Sequence, residues 1–181
     1  MPRSSTTSRS CAASTSPRVS PRRCPPRTTR LWTRSSVGYE ADDDPARLDL
    51  GVIWTFLSTE AYWHRWRTRA DVEKQVGNAW RVVGVYEEES GDQVGFARAI
   101  SDGVSDAYLA DVFVLAAHRG RGLGKLLVST MIDEGPGRNF RWVLFTADAH
   151  GLYRKYGFRA ADDKALVRME PPSPGLHPST S

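Results

Sequence analysis

Cysteine is almost missing from this chain. Its 181 residues hold two, Cys11 and Cys24, both within the first 36 positions. From residue 37 onward there is no thiol, which excludes a disulfide framework, a cysteine-built zinc module and a cysteine nucleophile there. Histidine is nearly as sparse, and the four at 64, 118, 150 and 177 share no ligand spacing, so no metal is expected. Long apolar runs are missing too. The longest, Val112 to Ala117, falls far short of the ~20 residues a bilayer span demands. No membrane partner is expected, and the expected location is cytoplasmic.

Acidic residues are missing from one end. Residues 1–36 contain eight arginines and no Asp or Glu. Setting those eight apart from the 25 Lys and Arg leaves 17 against all 21 Asp and Glu, a net of −4, although the whole chain carries +4. The basicity that would invite a nucleic-acid partner therefore belongs to a terminal segment, and no nucleic-acid partner is expected. That segment is nearly all Ser, Thr, Arg and Pro and buries too little apolar surface to offset its ordering entropy. It reads as a disordered tail. Its composition also fits an organelle transit segment, without the amphipathic stripe, or a start codon assigned too far upstream. A second tail is expected over 171–181, leaving one domain over 37–170.

Within that domain, Tyr39 to Asp42 suits a short strand. Leu50, Ile53, Trp54 and Leu57 share one helical face, and Val72 and Val76 mark a second helix over Arg69 to Asn78. Trp80 to Tyr86 and Val94 to Ile100 flank a polar turn and predict a hairpin; Tyr108 to Leu115 predicts the strongest strand. A helix then carries Leu123, Leu127 and Met131, and Gly135-Pro136-Gly137 stops it. Trp142 to Phe145 predicts a last strand, and His150 to Lys155 a compact helix. Strand, helix and strand at this spacing form a βαβ unit with a parallel pair. The expected fold class is α/β: a mixed, mostly antiparallel sheet with one parallel βαβ unit and helices on both faces.

The chemistry-bearing segment is His118-Arg119-Gly120-Arg121-Gly122-Leu123-Gly124-Lys125. Its glycines permit tight turns that bring N–H groups close to an anion, and the helix that opens here adds its positive end. Arg119, Arg121 and Lys125 add three cations to a domain that is otherwise net acidic. A glycine turn with solvated cations is the plainer alternative. A Walker A loop is excluded because Arg119 stands at its first glycine and Leu126 follows Lys125; a Rossmann fingerprint from Gly122 fails at Leu127. What remains is R-x-x-G-x-G (Arg119, Gly122, Gly124), directly after a strand and opening a helix.

That pattern resembles the acetyl-coenzyme A signature of the GNAT superfamily of N-acetyltransferases. Tyr108 to Val114 resembles the family's central strand, and Ala149 to Phe158, ending in Gly157-Phe158, its second conserved block. The resemblance runs from about Tyr39 to Glu170 and implies direct acetyl transfer from acetyl-CoA to a primary amine in a ternary complex. It implies a V-shaped cleft with pantetheine along the backbone of Phe113 and Val114. The pyrophosphate would lie on Arg119, Gly120, Arg121, Gly122, Leu123, Gly124 and Lys125, with His150 a further cofactor contact. Tyr153 matches the tyrosine that protonates the departing thiolate; a phenol of ordinary pKa ~10 is protonated at neutral pH. Asp111 is the first candidate for the base that deprotonates the amine, with Glu60 and ordered water as alternatives. Asp148 is expected to cap the last helix. The chain departs from the family pattern at Ala116-Ala117, where a proline is usual, and at Asp148, where asparagine is frequent. The segment Tyr62-Trp63-His64-Arg65-Trp66-Arg67-Thr68-Arg69 would face the acceptor, a small molecule or peptide, and suits one with a flat or anionic part. Core tryptophans with snorkelling arginines are the plainer account. A non-catalytic acetyl-CoA sensor of the same fold is the alternative function. Monomer and homodimer are both left open.

Overall fold

A computed structural model describes residues 33–63, 66–161, 163 and 165–167. Its frame is a six-stranded sheet in sequence order: β1 (Thr33–Ser36), β2 (Tyr39–Asp42), β3 (Arg81–Glu87), β4 (Gln93–Ser101), β5 (Asp106–Val114) and β6 (Arg141–Val143). The first five strands run antiparallel to their neighbours, and β6 runs parallel to β5. Four helices accompany them: α1 (Leu50–Thr59), α2 (Arg69–Gly77), α3 (Leu123–Met131) and α4 (His150–Tyr153). The mixed α/β architecture is the one the element pattern predicts.

The expected tail boundary at 36 lies too late. Thr33–Ser36 pairs with Tyr39–Asp42 through Val37-Gly38. That ladder is built by backbone groups, so an unremarkable Thr-Arg-Ser-Ser sequence forms it without apolar side chains. Residues 1–32 and 171–181, the remainder of both expected tails, lie outside the described residues.

Alternation along the strands sends apolar side chains to two cores, one on each face. Val83, Val85, Ala97 and Leu109 pack with Leu123, Leu127 and Met131 of α3. Val82, Phe96 and Phe113 face the other way and pack with Ile53, Phe56 and Leu57 of α1 and Val72 of α2. Phe56 and Phe113 stack nearly parallel, 4.0 Å between ring centroids. Local chemistry fixes the helix starts. Asp49 accepts from the N–H groups of Gly51 and Val52, and Thr68 forms a reciprocal capping box with Asp71.

Buried Arg81 on β3 ties the sheet to the end of α3. Its Nη1 donates to the carbonyls of Thr130 and Met131, each at 2.7 Å, while its Nε donates to Asp43 at 3.1 Å. These bonds satisfy carbonyls that the end of a helix leaves without partners. Arg81→Ala is expected to cost about 1.5–3 kcal/mol, the range for hydrogen bonds to a charged group. Chemical denaturation measures it, and a loss below about 0.5 kcal/mol would show that water replaces the guanidinium freely.

Candidate active site

A cleft opens where β5 and β6 part. Their pairing is confined to Asp106, Ala107 and Tyr108 against Arg141, Trp142 and Val143. Beyond Tyr108, β5 bends at a bulge. Phe96 faces Phe113 and Arg98 faces Ala110, so Asp111 and Val112 together oppose the single residue Ala97. Asp111 takes a left-handed backbone conformation (φ 51°). Leu109 to Val114 form one wall, Leu144 to Ala149 the other, and the space between measures about 1480 Å³. That exceeds the ~300–1,000 Å³ of an ordinary small-ligand pocket and leaves room for an extended ligand with a second molecule beside it.

Backbone direction determines what β5 offers this space. The Leu115 N–H bonds to the Val94 carbonyl on β4, so by alternation the Val114 N–H points to the cleft side. The Val114 carbonyl accepts from Arg119 Nε at 2.9 Å. The chain then passes through Gly120 and Gly122, with φ of 79° and 82°, into α3. Only glycine adopts this left-handed backbone without steric cost, and the paired turns leave the N–H groups of residues 120–124 with no acceptor among the described residues. Gly120, Gly122, Leu123, Gly124, Arg119 and Lys125 line the cleft. Arg121 does not. Its Nη1 donates to Tyr39 Oη at 2.6 Å, which leaves the phenol proton free for His118 Nδ1 at 3.0 Å. His150 is exposed and lies outside the cleft lining, so the geometry does not carry its expected side-chain contact with a cofactor.

Tyr153 lies on the opposite wall, 7% exposed, with its ring edge-on to Phe158. Burial, then the charge of Asp148 and the neighbouring Tyr62 phenol, push its pKa up to about 12. Asp148 does not cap α4. Thr146 Oγ1 accepts the Ala149 N–H instead, and Asp148 faces Thr146.

Asp111 is brought to the cleft, but its carboxylate is fully engaged. Trp63 Nε1 and Arg67 Nη2 donate to Oδ1 at 3.0 and 3.1 Å; Arg67 Nη1 and Arg98 Nε donate to Oδ2 at 2.9 and 2.6 Å. Four donors fill the roughly four lone-pair sites of a carboxylate. Burial works to raise its pKa, but hydrogen bonds and charge from Arg67 and Arg98 prevail and hold it below the ordinary value. This geometry is wrong for the expected base, because the carboxylate has neither an open lone pair nor an affinity for a proton near neutral pH. Glu60 lines the cleft 3.7 Å from Arg119. In the segment expected to face the acceptor, Trp63 and Arg67 turn inward to Asp111, and the Tyr62 hydroxyl accepts from the Ala147 N–H across the cleft at 3.0 Å. Trp66 is 62% exposed, and His64 and Arg65 lie outside the described residues.

Comparison with known proteins identifies this architecture. Residues 79–160 match the acetyltransferase (GNAT) domain. A crystal structure of a candidate GNAT-family acetyltransferase from Xanthomonas campestris pv. campestris is 36% identical, with a TM-score of 0.68, covering 74% of this chain and 94% of that one. The chain belongs to the GNAT acetyltransferase family. A candidate acetyltransferase of Gibberella zeae is 29% identical over 142 residues, covering 68% of this chain and 79% of that protein. Glucosamine-6-phosphate N-acetyltransferase from Arabidopsis thaliana, 14% identical with a TM-score of 0.51 over 74% of this chain and 97% of that one, shares the fold. Against the GNAT pattern, the glycine loop and Tyr153 lie on one continuous cleft. The residues missed by sequence reasoning are Arg98, which gives no local signal beyond a charge inside an apolar strand, and the Tyr39–His118 pair behind the loop.

Proposed function

We propose that this GNAT protein is an N-acetyltransferase that moves an acetyl group from acetyl-CoA to a primary amine within a ternary complex. The observation that carries the proposal is the single cleft joining the unpaired loop amides of 120–124 to the buried Tyr153. The loop fits a pyrophosphate: its N–H groups have no acceptor among the described residues, α3 adds its positive end, and Arg119 and Lys125 stand beside them. When bound, acetyl-CoA supplies an activated acetyl thioester. The Val114 N–H orients the acyl carbonyl and offers a donor to the charge that develops on its oxygen. Tyr153 holds a proton on Oη for the leaving sulfur, and its raised pKa keeps that proton in place at every working pH. Asp111 keeps the bulge and its arginines in position. The amine's proton leaves to water at the cleft mouth, since Asp111 has no open lone pair to receive it.

Differential thermal stabilisation tests the cofactor. Acetyl-CoA at about 100 times its Kd should add about 2.7 kcal/mol of stability and raise the melting temperature, while ATP and NAD at equal concentration should not. No shift with acetyl-CoA, or equal shifts with all three, would sink the proposal.

A further inference from the structure

In the cleft, one guanidinium leaves its outer nitrogens with no acceptor among the described residues. Arg67 and Arg98 share a single carboxylate, Asp111, and the side chains of all three are more than nine-tenths buried. Arg67 divides its nitrogens between Asp111 and Gln75. Arg98 commits only Nε. Its Nη1 and Nη2 have no acceptor among the described residues, and the residue lines the cleft. Asp111 cannot serve them, because its own acceptor sites are filled. Reached from the cleft, the end-on face of the Arg98 guanidinium is a fork that matches an oxyanion at two points.

This site is separate from the pyrophosphate loop. Arg98 is level with Ala110, four residues before Val114, which places it roughly 10–13 Å back along β5. It also projects on the α1 and α2 face, the face of Phe96 two positions earlier and of Trp63. A ligand spread on the loop amides has its polyphosphate at the far end. A molecule that pairs its amine with an oxyanion offers this fork a complementary group, whereas a bare amine offers it none.

We infer that the acceptor amine also carries an oxyanion, a carboxylate or a phosphate, which docks on the two terminal nitrogens of Arg98. This rests on the acyl-transfer proposal for the word acceptor, but the anion seat itself does not. The role of Asp111 is then positional. Its hydrogen bond to Nε fixes the guanidinium plane, while Arg67 and Trp63 fix Asp111.

Calorimetric titration of the full chain, free and saturated with coenzyme A, tests the inference with two matched pairs of probes. Phenylalanine against phenethylamine reads the carboxylate; phosphoethanolamine against ethanolamine reads the phosphate. The oxyanion member of at least one pair should bind about 10- to 100-fold more tightly, the range of a charge-assisted contact, and the pair that shows it names the oxyanion. In Arg98→Gln the preference should shrink to within about twofold. Should that variant fail to fold by circular dichroism, Arg98→Lys, which keeps a cation beside Asp111 but lacks the fork, carries the same comparison and should retain only part of the preference. Equal binding within both pairs, no binding by any probe, or a preference unchanged in the folded variant would each overturn the inference. A preference on free protein that acetyl-CoA fails to stabilise would support the anion seat while overturning acyl transfer, so the two failures read differently.

Discussion

Tyr153→Phe lowers kcat by about 10²- to 10⁴-fold, the usual worth of a positioned general acid, and leaves the melting temperature unchanged or higher. The second half follows from burial. Tyr153 is 7% exposed and lines the open cleft, and its hydroxyl makes no hydrogen bond to a described residue, so deleting it strands no protein partner while the ring keeps its packing. The pH profile adds an independent check. A general acid works while protonated and fails as pH rises through its pKa. With that pKa pushed up to about 12, loss of the acid should cause no fall in kcat below about pH 10. An alkaline decline centred near pH 9 in the wild type and lost in Tyr153→Phe would contradict the buried phenol. An unchanged kcat in the variant would remove Tyr153 from the chemistry.

Asp111→Ala destabilises the protein by about 3–5 kcal/mol, the cost of removing one partner from a buried ion pair. Two guanidiniums lose their shared acceptor, and Trp63 Nε1 loses its own. The substitution also places alanine at φ 51°, a backbone region that aspartate tolerates better. Adding Arg98→Met to Asp111→Ala should restore part of the loss, since removing both charges is far cheaper than removing one. Urea denaturation of the two single variants and the double variant completes the cycle. A general base predicts a different signature for Asp111→Asn: near-native stability with the acid limb of the kcat profile abolished. A loss below about 1 kcal/mol in Asp111→Ala would show that the four hydrogen bonds do not hold the bulge.

Punctuation makes much of the fold legible in the sequence. Thr68 with Asp71, Gly135-Pro136-Gly137 and the glycine loop mark local events whose geometry is set within a few residues. β1 escapes because its ladder is made by backbone, and its Arg- and Ser-rich composition carries no period. The last strand is expected over Trp142 to Phe145 but spans Arg141–Val143, because the sheet splays and releases Leu144 and Phe145 to the cleft. The last helix, expected over His150 to Lys155, gives way to a tighter 3₁₀ turn at Arg154–Tyr156. In the site, loop and tyrosine are legible because each belongs to a contiguous motif. The Asp111 network is not: its partners lie 13, 44 and 48 residues away and meet only because one extra residue enters β5. Alternation along that strand gives no hint of the slip. Arg121 looks equivalent to Arg119 and Lys125, yet Tyr39, 82 positions earlier, claims its guanidinium.

The short contact between β5 and β6 bears on how the chain assembles. Strands β3, β4 and β5 follow one another through tight turns, so each rung of their ladders closes a small loop. The rung joining Asp106 to Arg141 closes one of 35 residues, and only two more follow it. Loop-closure entropy grows with length and each rung returns little, so β6 is held by three rungs to β5 and the half-buried ring of Trp142. The seam that opens into the cleft is thus the least securely sewn part of the sheet, and breathing there costs less than breathing anywhere in the meander.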